Sequence, residues 1–496
     1  MRGVAAALVG ALVATGCLHH HSGPPLPPEV LRAGLTQDDY ALRQSFAGGR
    51  FEDALGLVSA KGRFAPRDEL LASLYRASAL YYAGRFDTSG VTLDRAAVLA
   101  DDRYTKSASK NLLAAVTNDA VLPYEPSRTE RLMMNYYGML DFLRRGDAEG
   151  AAVEARRVSA LLESFDSRKD SVDARTRALL NYLAGAAFEA AGEKNDAAVS
   201  YRVARSLVGD SALPFPPEPK KGRRPRATRP AAEPATGDVI VVVEHGYVAH
   251  LVPRLVLVPV TQDEFDKFGG KPEETLAAAA AISARAMLWI ASDRDRFIWH
   301  DEHDDRELRM NDDSREIAYL LPVAWTSLQR PYHPAWRASL VVDSAAPRPI
   351  AMSADLCDAV AADFRRSRAA SFTRGVLRAG MKLALAKTAA DRMEDRKGEL
   401  AGTVTRWAAD ALNVLTERAD TRQWRLLPGE LSLVRVTLPA GAHDLSIDYA
   451  PSPGAPTRRL ALGRIEVAAG GIAVATTRVW DDGVLPPGRR VVISDK

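Results

Sequence analysis

The 496-residue chain is poor in cysteine, with only Cys17 and Cys357. Cys17 is the expected site of a lipid modification (below), which leaves Cys357 without a partner. The sequence therefore predicts a fold without disulfides, and domains of this size can be stable without them. Cys357 stands beside Leu356 and Val360, and we interpret it as a small, buried hydrophobic residue.

The chain also lacks an excess of charge of one sign. Its 66 Lys and Arg residues nearly balance 63 Asp and Glu residues, for a formal net charge of +3. This balance gives no overall basic field, so we do not expect a nucleic-acid partner. The 47% hydrophobic content is ordinary for a globular protein. Beyond the N-terminus, no apolar run is long enough to cross a membrane.

Motifs of common enzyme classes are missing. The sequence contains no GxSxG and no HExxH, and Gly270-Lys271 is followed by Pro272 where a phosphate-binding loop needs Ser or Thr. Ser107–Lys110 matches the SxxK of penicillin-binding enzymes, but the companion KTG is absent. We therefore predict a protein that is not an enzyme and that uses no cofactor.

The N-terminal stretch Met1–Cys17 has the pattern of a secretory signal. Arg2 is followed by an uncharged apolar run that is too short for a permanent membrane span. Small residues precede Cys17, which resembles a bacterial lipoprotein signal whose cysteine is lipidated, although Ala14 stands where Leu is usual. Leu18 instead of Asp then favours the outer membrane. The alternative is a secreted protein that is cleaved nearby.

Composition divides the remaining chain into four segments. The sequence predicts a Pro-rich tether over 18–38, a helical domain over 39–210, a Pro-, Lys- and Arg-rich linker over 211–237, and an α+β domain over 238–496. The linker is either a solvated spacer or a basic patch for anionic lipid or cell-wall polymer.

The helical domain repeats one pattern four times: a helix, a turn glycine, and Ala or Ser five residues later. The glycines are Gly49, Gly84, Gly146 and Gly192. This pattern resembles the tetratricopeptide repeat, whose period is about 34 residues. Such repeats would present a concave surface to a peptide or a partner protein. The alternative is a non-repetitive helical bundle.

The second half changes to a β-rich pattern. Strands are predicted over 238–260, 338–343 and 431–479, and helices over 273–292 and 354–417. The last region contains four alternating runs separated by glycine turns, which is typical of a small antiparallel sandwich. The predicted fold class is thus multidomain α+β, with helical repeats before a β-rich domain that carries a helical insertion.

Two charged groups are candidate sites. On a helix, His300, His303 and Asp304 of the run His300-Asp301-Glu302-His303-Asp304-Asp305 would share a face that could hold zinc or manganese. The run continues as acid-rich sequence, which favours a solvated charged loop or helix face. Arg374, Arg378 and Lys382 follow at four-residue spacing, as a stripe on one helix face. This stripe would either bind an acidic partner or pair within the chain.

The junction between the long helices and the terminal strands contains Asp420, Arg422 and Trp424. A charge pair beside a Trp, with no nucleophile or base nearby, favours a structural corner over an active site. We predict that Trp424 is buried between helices and sheet. We also predict that Arg422 bonds a carboxylate or backbone carbonyls within its own domain.

A set of short sequence motifs, here called phrases, resembles those of an uncharacterised group of bacterial lipoproteins. The phrases are Tyr124 with Glu130-Arg131, Asn135-Tyr136-Tyr137, Val153–Arg157, Glu244-His245-Gly246, Thr373-Arg374 with Arg378 and Lys382, and Ala419–Arg422 with Trp424, Leu427 and Pro428. The resemblance implies an outer-membrane lipoprotein, in some members encoded near activators of cell-wall synthases, and it supplies no catalytic residue.

These observations lead to the hypothesis of a non-catalytic binding scaffold in the cell envelope. It would be held in the membrane through Cys17 and would bind envelope proteins, with peptidoglycan as a further candidate partner. Two alternatives stay open: an enzyme acting on peptidoglycan through the cluster at 300–305, and a purely structural tether between membrane and cell wall.

Overall fold

The computed structural model shows a mixed α/β protein, with helices in the N-terminal part and mainly antiparallel sheets in the C-terminal part. The described residues are 25–107, 122–166, 172–210, 213, 215–216, 235–268, 271–291, 317–331, 336–350, 352–397 and 419–481. Helices followed by antiparallel strands are the coarse fold that the sequence predicts. No helix within these ranges has both the length and the apolar character that a membrane span requires.

The N-terminal part is an array of four helix pairs that follows a short helix, α1 (Pro28–Arg32). The pairs are α2 (Gln37–Ala47) with α3 (Phe51–Ser59), α4 (Glu69–Tyr82) with α5 (Phe86–Ser107), α6 (Arg128–Arg144) with α7 (Ala148–Asp166), and α8 (Ala174–Ala190) with α9 (Lys194–Val208). Each helix packs against the next one along the chain.

A glycine with positive φ forms the turn inside each pair. The φ angles are 68° at Gly49, 74° at Gly84, 76° at Gly146 and 77° at Gly192. Glycine adopts this left-handed conformation without the steric cost that a Cβ would bring. The four turns that the sequence predicts are therefore confirmed.

The C-terminal part contains two four-stranded sheets and one two-stranded ribbon. The strands are β1 (Thr236–His245), β2 (His250–Thr261), β3 (Ile317–Gln329), β4 (Arg337–Val342), β5 (Arg348–Pro349), β6 (Met352–Asp355), β7 (Glu430–Pro439), β8 (Gly441–Ala450), β9 (Arg458–Val467) and β10 (Ile472–Val479). The central sheet has the order β10-β1-β7-β6, the outer sheet has the order β5-β4-β8-β9, and β2 pairs with β3 in the ribbon. The β1–β10 pair is parallel and every other pair is antiparallel.

The central sheet lies between the outer sheet and the helix array. Odd-numbered residues of β1 such as Val241 share a core with the outer sheet's Leu340 and Ile447. Even-numbered residues such as Val242 share a core with α4, α6 and α8. Because successive side chains of a strand point to opposite faces, β1 is buried on both sides. The central sheet therefore has a core on each face: one is shared with the helices and the other with the outer sheet.

We call the helix array together with the two four-stranded sheets the body. The ribbon and three helices form an arm beside it. The helices are α10 (Gln262–Lys267), α11 (Pro272–Ala291) and α12 (Leu356–Lys397). They pack on one face of the ribbon around a separate core that includes Val258, Val323 and Phe372. The long α12 links the two parts, because Asp363 accepts hydrogen bonds from the Thr129 backbone and hydroxyl (2.8 and 2.7 Å) while Gly375 lies against Val323.

The tether predicted over 18–38 needs correction. Residues from Pro28 onward are folded onto the body: Val30 and Leu35 are buried, and the His250 ring hydrogen-bonds the Ala33 carbonyl at 2.9 Å. The physical reason is that Val30 and Leu35 give this stretch apolar surface to bury, which a free tether would leave in water.

The second half also differs from its predicted boundaries. β3 was not predicted, because its apolar run lacks the alternation of a half-buried strand. Residues 354–355 belong to β6, and helix α12 begins only at Leu356.

The linker is mostly outside the described residues, as is the part of the predicted helical stretch from 398 to 417. Cys357 is buried, as the sequence predicts.

The helix pairs give a first test of packing. Ala151 is fully buried on α7, whereas Val153 on the same helix is 47% exposed. We expect Ala151→Leu to overpack the crossing and to lower the free energy of unfolding by about 1–3 kcal/mol. Val153→Leu, the matched control, should change it little. Equal effects in urea denaturation would contradict the observed packing.

Candidate functional site

Several of the sequence-predicted sites lie outside the described residues. They include Cys17 and the whole cluster from His300 to Asp305. Among the residues that the structure does describe, no three His, Cys, Asp or Glu side chains are grouped so that they could hold a metal ion.

The cationic stripe of α12 is not a free surface. Arg378 is buried, at 5% exposure, and Arg374 and Lys382 are half-buried. All three side chains have interactions within the chain. Of the two interpretations of this stripe, the structure favours internal pairing.

The predicted corner brings the C-terminal part onto the helices. Arg422 donates to Asp420 at 2.8 and 2.6 Å, but also to Asp68 at 2.7 Å and to the Leu122 carbonyl at 2.8 Å. The Asp420 contact is as predicted. Arg422 also reaches the helical part, to which Asp68 and Leu122 belong, and the sequence does not predict these two contacts.

Trp424 anchors the same corner and is fully buried, as predicted. Its indole nitrogen donates to the Ser78 hydroxyl of α4 at 2.8 Å, and its backbone N–H donates to Glu130 at 2.6 Å. Glu130 also accepts from the Tyr124 hydroxyl at 2.7 Å. Burial raises the pKa of Glu130, and these hydrogen bonds oppose the shift. Sequence reasoning missed Glu130, although Ser127 and Glu130 have the spacing of a capping box.

A second buried polar cluster lies deeper, between α4, α6 and the central sheet. Glu244 of β1 accepts hydrogen bonds from the Tyr82 hydroxyl at 2.6 Å and from the Tyr136 hydroxyl at 3.0 Å. Tyr137 shares a hydrogen bond with Tyr82 at 2.8 Å. Arg478 of β10 donates to Tyr82 at 2.6 Å and to the carbonyls of Leu426, Leu427 and Gly246. We call these five side chains the Glu244 cluster.

The electrostatics of the Glu244 cluster follow from its burial. Burial raises the pKa of Glu244, while Arg478 and the tyrosine hydroxyls lower it. Burial also raises the pKa of Tyr82, Tyr136 and Tyr137 well above the ordinary range of tyrosine, so these hydroxyls keep their protons and can donate. Because Glu244 is 1% exposed, the geometry suits a clamp between helices and sheet.

A further ion-pair group joins the last helix pair to the central sheet. Arg435 of β7 donates to Glu189 of α8 at 3.0 Å, to Asp238 of β1, and to the Tyr201 hydroxyl at 2.9 Å. The Arg435 side chain is 5% exposed. The inner helices are thus tied to the sheet at several points.

A small cleft with a volume of about 10 Å³ lies on the other side of the array, between α5, α6 and α7. Its apolar part is formed by Leu93, Ala97, Met134 and Phe142, its polar part by Asp94, Asn135, Glu154 and Arg157, and its remaining lining by Gly90 and Gly138. Arg157 donates to Glu154 at 2.5 Å and to Asp94 at 3.0 Å. We call this feature the outer cleft.

Glycine 138 makes room for the carboxylate of the outer cleft. A Cβ at this position would lie 3.2 Å from the Glu154 carboxyl carbon, so a larger residue would push Glu154 away. Burial raises the pKa of Glu154 to about 7, although Arg157 opposes the shift. The cleft therefore presents a buried acid beside a half-exposed guanidinium, which can form hydrogen bonds to polar groups of a ligand.

Beneath the cleft, Asp141 is fully buried next to Gly90, whose added Cβ would lie 3.7 Å from the Asp141 Oδ2. Neither Asp141 oxygen accepts a hydrogen bond from the part of the chain that the structure describes. The nearby Ser89 hydroxyl donates to the Ala77 carbonyl instead. Burial raises the pKa of Asp141 to about 8, and the positive charge of Arg145 counters this only in part.

Comparison with known proteins returned no matching family model and no significantly similar curated protein.

The Arg422 contacts predict a stability effect. Arg422→Ala leaves Asp68, whose side chain is 13% exposed, without its partner, so we expect a loss of about 2–4 kcal/mol in the free energy of unfolding. Limited proteolysis should show loosening in both the helical and the C-terminal parts. The control is Arg85→Ala, which breaks an exposed pair with Glu52 and should cost under about 1 kcal/mol. A large effect from the control only would contradict this account.

Asp141 predicts a pH effect on stability. Its folded-state pKa lies above its unfolded value, so the native chain holds a proton that the unfolded chain loses as pH rises. The burial of Asp141 should make wild-type stability fall between about pH 4 and pH 8, and Asp141→Asn should remove this contribution. We expect the variant to be about 5 kcal/mol more stable at pH 8.5 and nearly equal at pH 4.

The control for this pH experiment is Asp94→Asn, because Asp94 is the half-exposed partner of Arg157. It should change stability by less than about 1 kcal/mol at both pH values. Urea denaturation at the two pH values measures both variants. An Asp141→Asn variant whose stability stays parallel to that of the wild type would contradict the raised pKa.

Proposed function

We propose that the chain is a lipid-anchored protein of the bacterial cell envelope that acts as a non-catalytic binding scaffold. The signal-like segment ending at Cys17 supports the anchor, and Leu18 supports the outer membrane. The observation that carries the proposal is the contrast between the two sides of the helix array. The inner side is fixed to the sheet by buried polar contacts, while the outer cleft stays open with charged groups of both signs.

The array is further proposed to be of the tetratricopeptide kind. Four consecutive helix pairs support this, each with a left-handed glycine in its turn. Repeat arrays of this kind commonly bind partners on their concave inner side. In this chain the inner helices α4, α6 and α8 are covered by the central sheet and by residues 423–427. A partner would therefore bind elsewhere than the sequence suggests.

The outer cleft is the surface that we propose for such a partner. Its apolar lining can contact a hydrophobic side chain that lies across its mouth, and Arg157, Glu154 and Asn135 can orient a polar group beside that side chain. Val98 of α5 and Val153 of α7 are exposed, at 72% and 47%, on the helices that form the cleft. An apolar pocket with a few polar groups and an apolar rim is the chemistry of a protein or peptide partner.

Photo-crosslinking in living cells tests this proposal. A photoreactive amino acid at position 98 or 153 should give a discrete crosslinked product that contains an envelope protein. Arg157→Ala should abolish this product, since it removes the guanidinium of the cleft. Arg156→Ala, which breaks an exposed pair with Glu193 outside the cleft, should leave the product intact.

Other outcomes would decide between the alternatives. Crosslinking to peptidoglycan alone would support the structural tether. Hydrolysis of purified sacculi by the purified protein would support the enzyme. Equal crosslinking in both arginine variants would contradict the outer cleft as the binding surface.

A further inference from the structure

The N-terminal end of the helix array is the part of the body that lies next to the proposed lipid anchor. We propose that this end, formed by α1, rests against the lipid headgroups of the membrane that holds Cys17. This inference depends on the lipidation proposed above. Beyond the lipidation, the inference states how the body is oriented and which of its surfaces meets the membrane.

The first step is the length of chain between the anchor and the body. Only seven residues separate Cys17 from Pro25, the first residue that the structure describes. A chain extends at most about 3.3–3.6 Å per residue, so Pro25 lies within about 28 Å of Cys17 whatever the conformation between them. A body held this closely cannot move away from the membrane surface.

The second step is that α1 is fixed to the body and does not extend the tether. Val30 and Leu35 are 2% and 3% exposed, and the Ala33 carbonyl is hydrogen-bonded to His250. A Cβ on Gly34 would lie 2.3 Å from the Val252 Cγ1, which shows how closely this segment packs on β2. Freeing α1 would expose the two apolar side chains to water.

The third step is the surface that this end presents. Leu31 is 59% exposed on α1, and Arg32 beside it is exposed as well. An exposed leucine next to a cationic side chain suits the boundary between headgroups and acyl chains. The covalent limit on the tether keeps this surface near that boundary.

The opposite end of the array provides a matched reference. Val199 of α9 is 52% exposed, close to the exposure of Leu31. It lies three helix pairs further along, and helices pack about 8–10 Å apart, so the two positions are separated by roughly 30 Å. A body that stands on its α1 end would hold Val199 away from the membrane.

The experiment uses the full-length lipidated protein, reconstituted into vesicles of phosphatidylethanolamine and phosphatidylglycerol. Leu31→Cys and Val199→Cys each introduce one accessible thiol, because Cys357 is 1% exposed and Cys17 is expected to be acylated. Each variant is labelled with an environment-sensitive fluorophore. Some vesicles contain a headgroup-attached nitroxide, which quenches only nearby fluorophores.

We expect a blue shift and a loss of emission in nitroxide vesicles at position 31, and neither change at position 199. Quenching at both positions, only at position 199, or at neither would overturn the proposed orientation. Mass spectrometry of the Cys17 peptide and flotation of the protein with vesicles are read separately. An acylated, floating protein without quenching at position 31 refutes only the orientation, whereas an unmodified Cys17 refutes the lipid anchor itself.

Discussion

The architecture depends on charged groups that are buried where the helix array meets the central sheet. Glu244 and Arg478 stand on adjacent strands and are both nearly inaccessible to water. Burying a charge without partners costs several kcal/mol, so these strands are stable only when Tyr82, Tyr136 and the backbone carbonyls near residues 246 and 426 supply hydrogen bonds. Helices and sheet therefore need each other, and neither can keep its buried polar groups satisfied alone.

This mutual dependence shapes the proposed function. Since the inner helices are covered by the protein's own sheet, the described surfaces that a partner can reach are the outer helices, the outer sheet, the arm and the two ends of the array. The outer cleft offers charged groups of both signs beside an apolar floor, and the α1 end is where the proposed anchor would hold the body. A scaffold of this kind would present the cleft to the envelope from a fixed position near the membrane.

Local features of the fold could be predicted from the sequence, whereas long-range pairing could not. The turn glycines and the four C-terminal strands are specified by neighbouring residues, and so the sequence indicates them. The parallel pairing of Asp238 with Ile472, which joins the first strand to the last, leaves no local pattern. For the same reason the contact between Arg422 and Asp68 was not foreseen. The outer cleft escaped prediction because Asp94, Asn135 and Glu154 come together only after three helices pack.

Native-state hydrogen exchange tests most directly whether the helix array and the sheets form one cooperative unit. The account predicts that the slowest amides of α6 and α8 and those of β1 share the same free energy of opening, equal to that of global unfolding. It also predicts that Arg478→Lys, which keeps the charge but loses the planar donor geometry, lowers that free energy equally in the helices and in β1. If the helices kept their protection while β1 lost it, the central claim would be wrong.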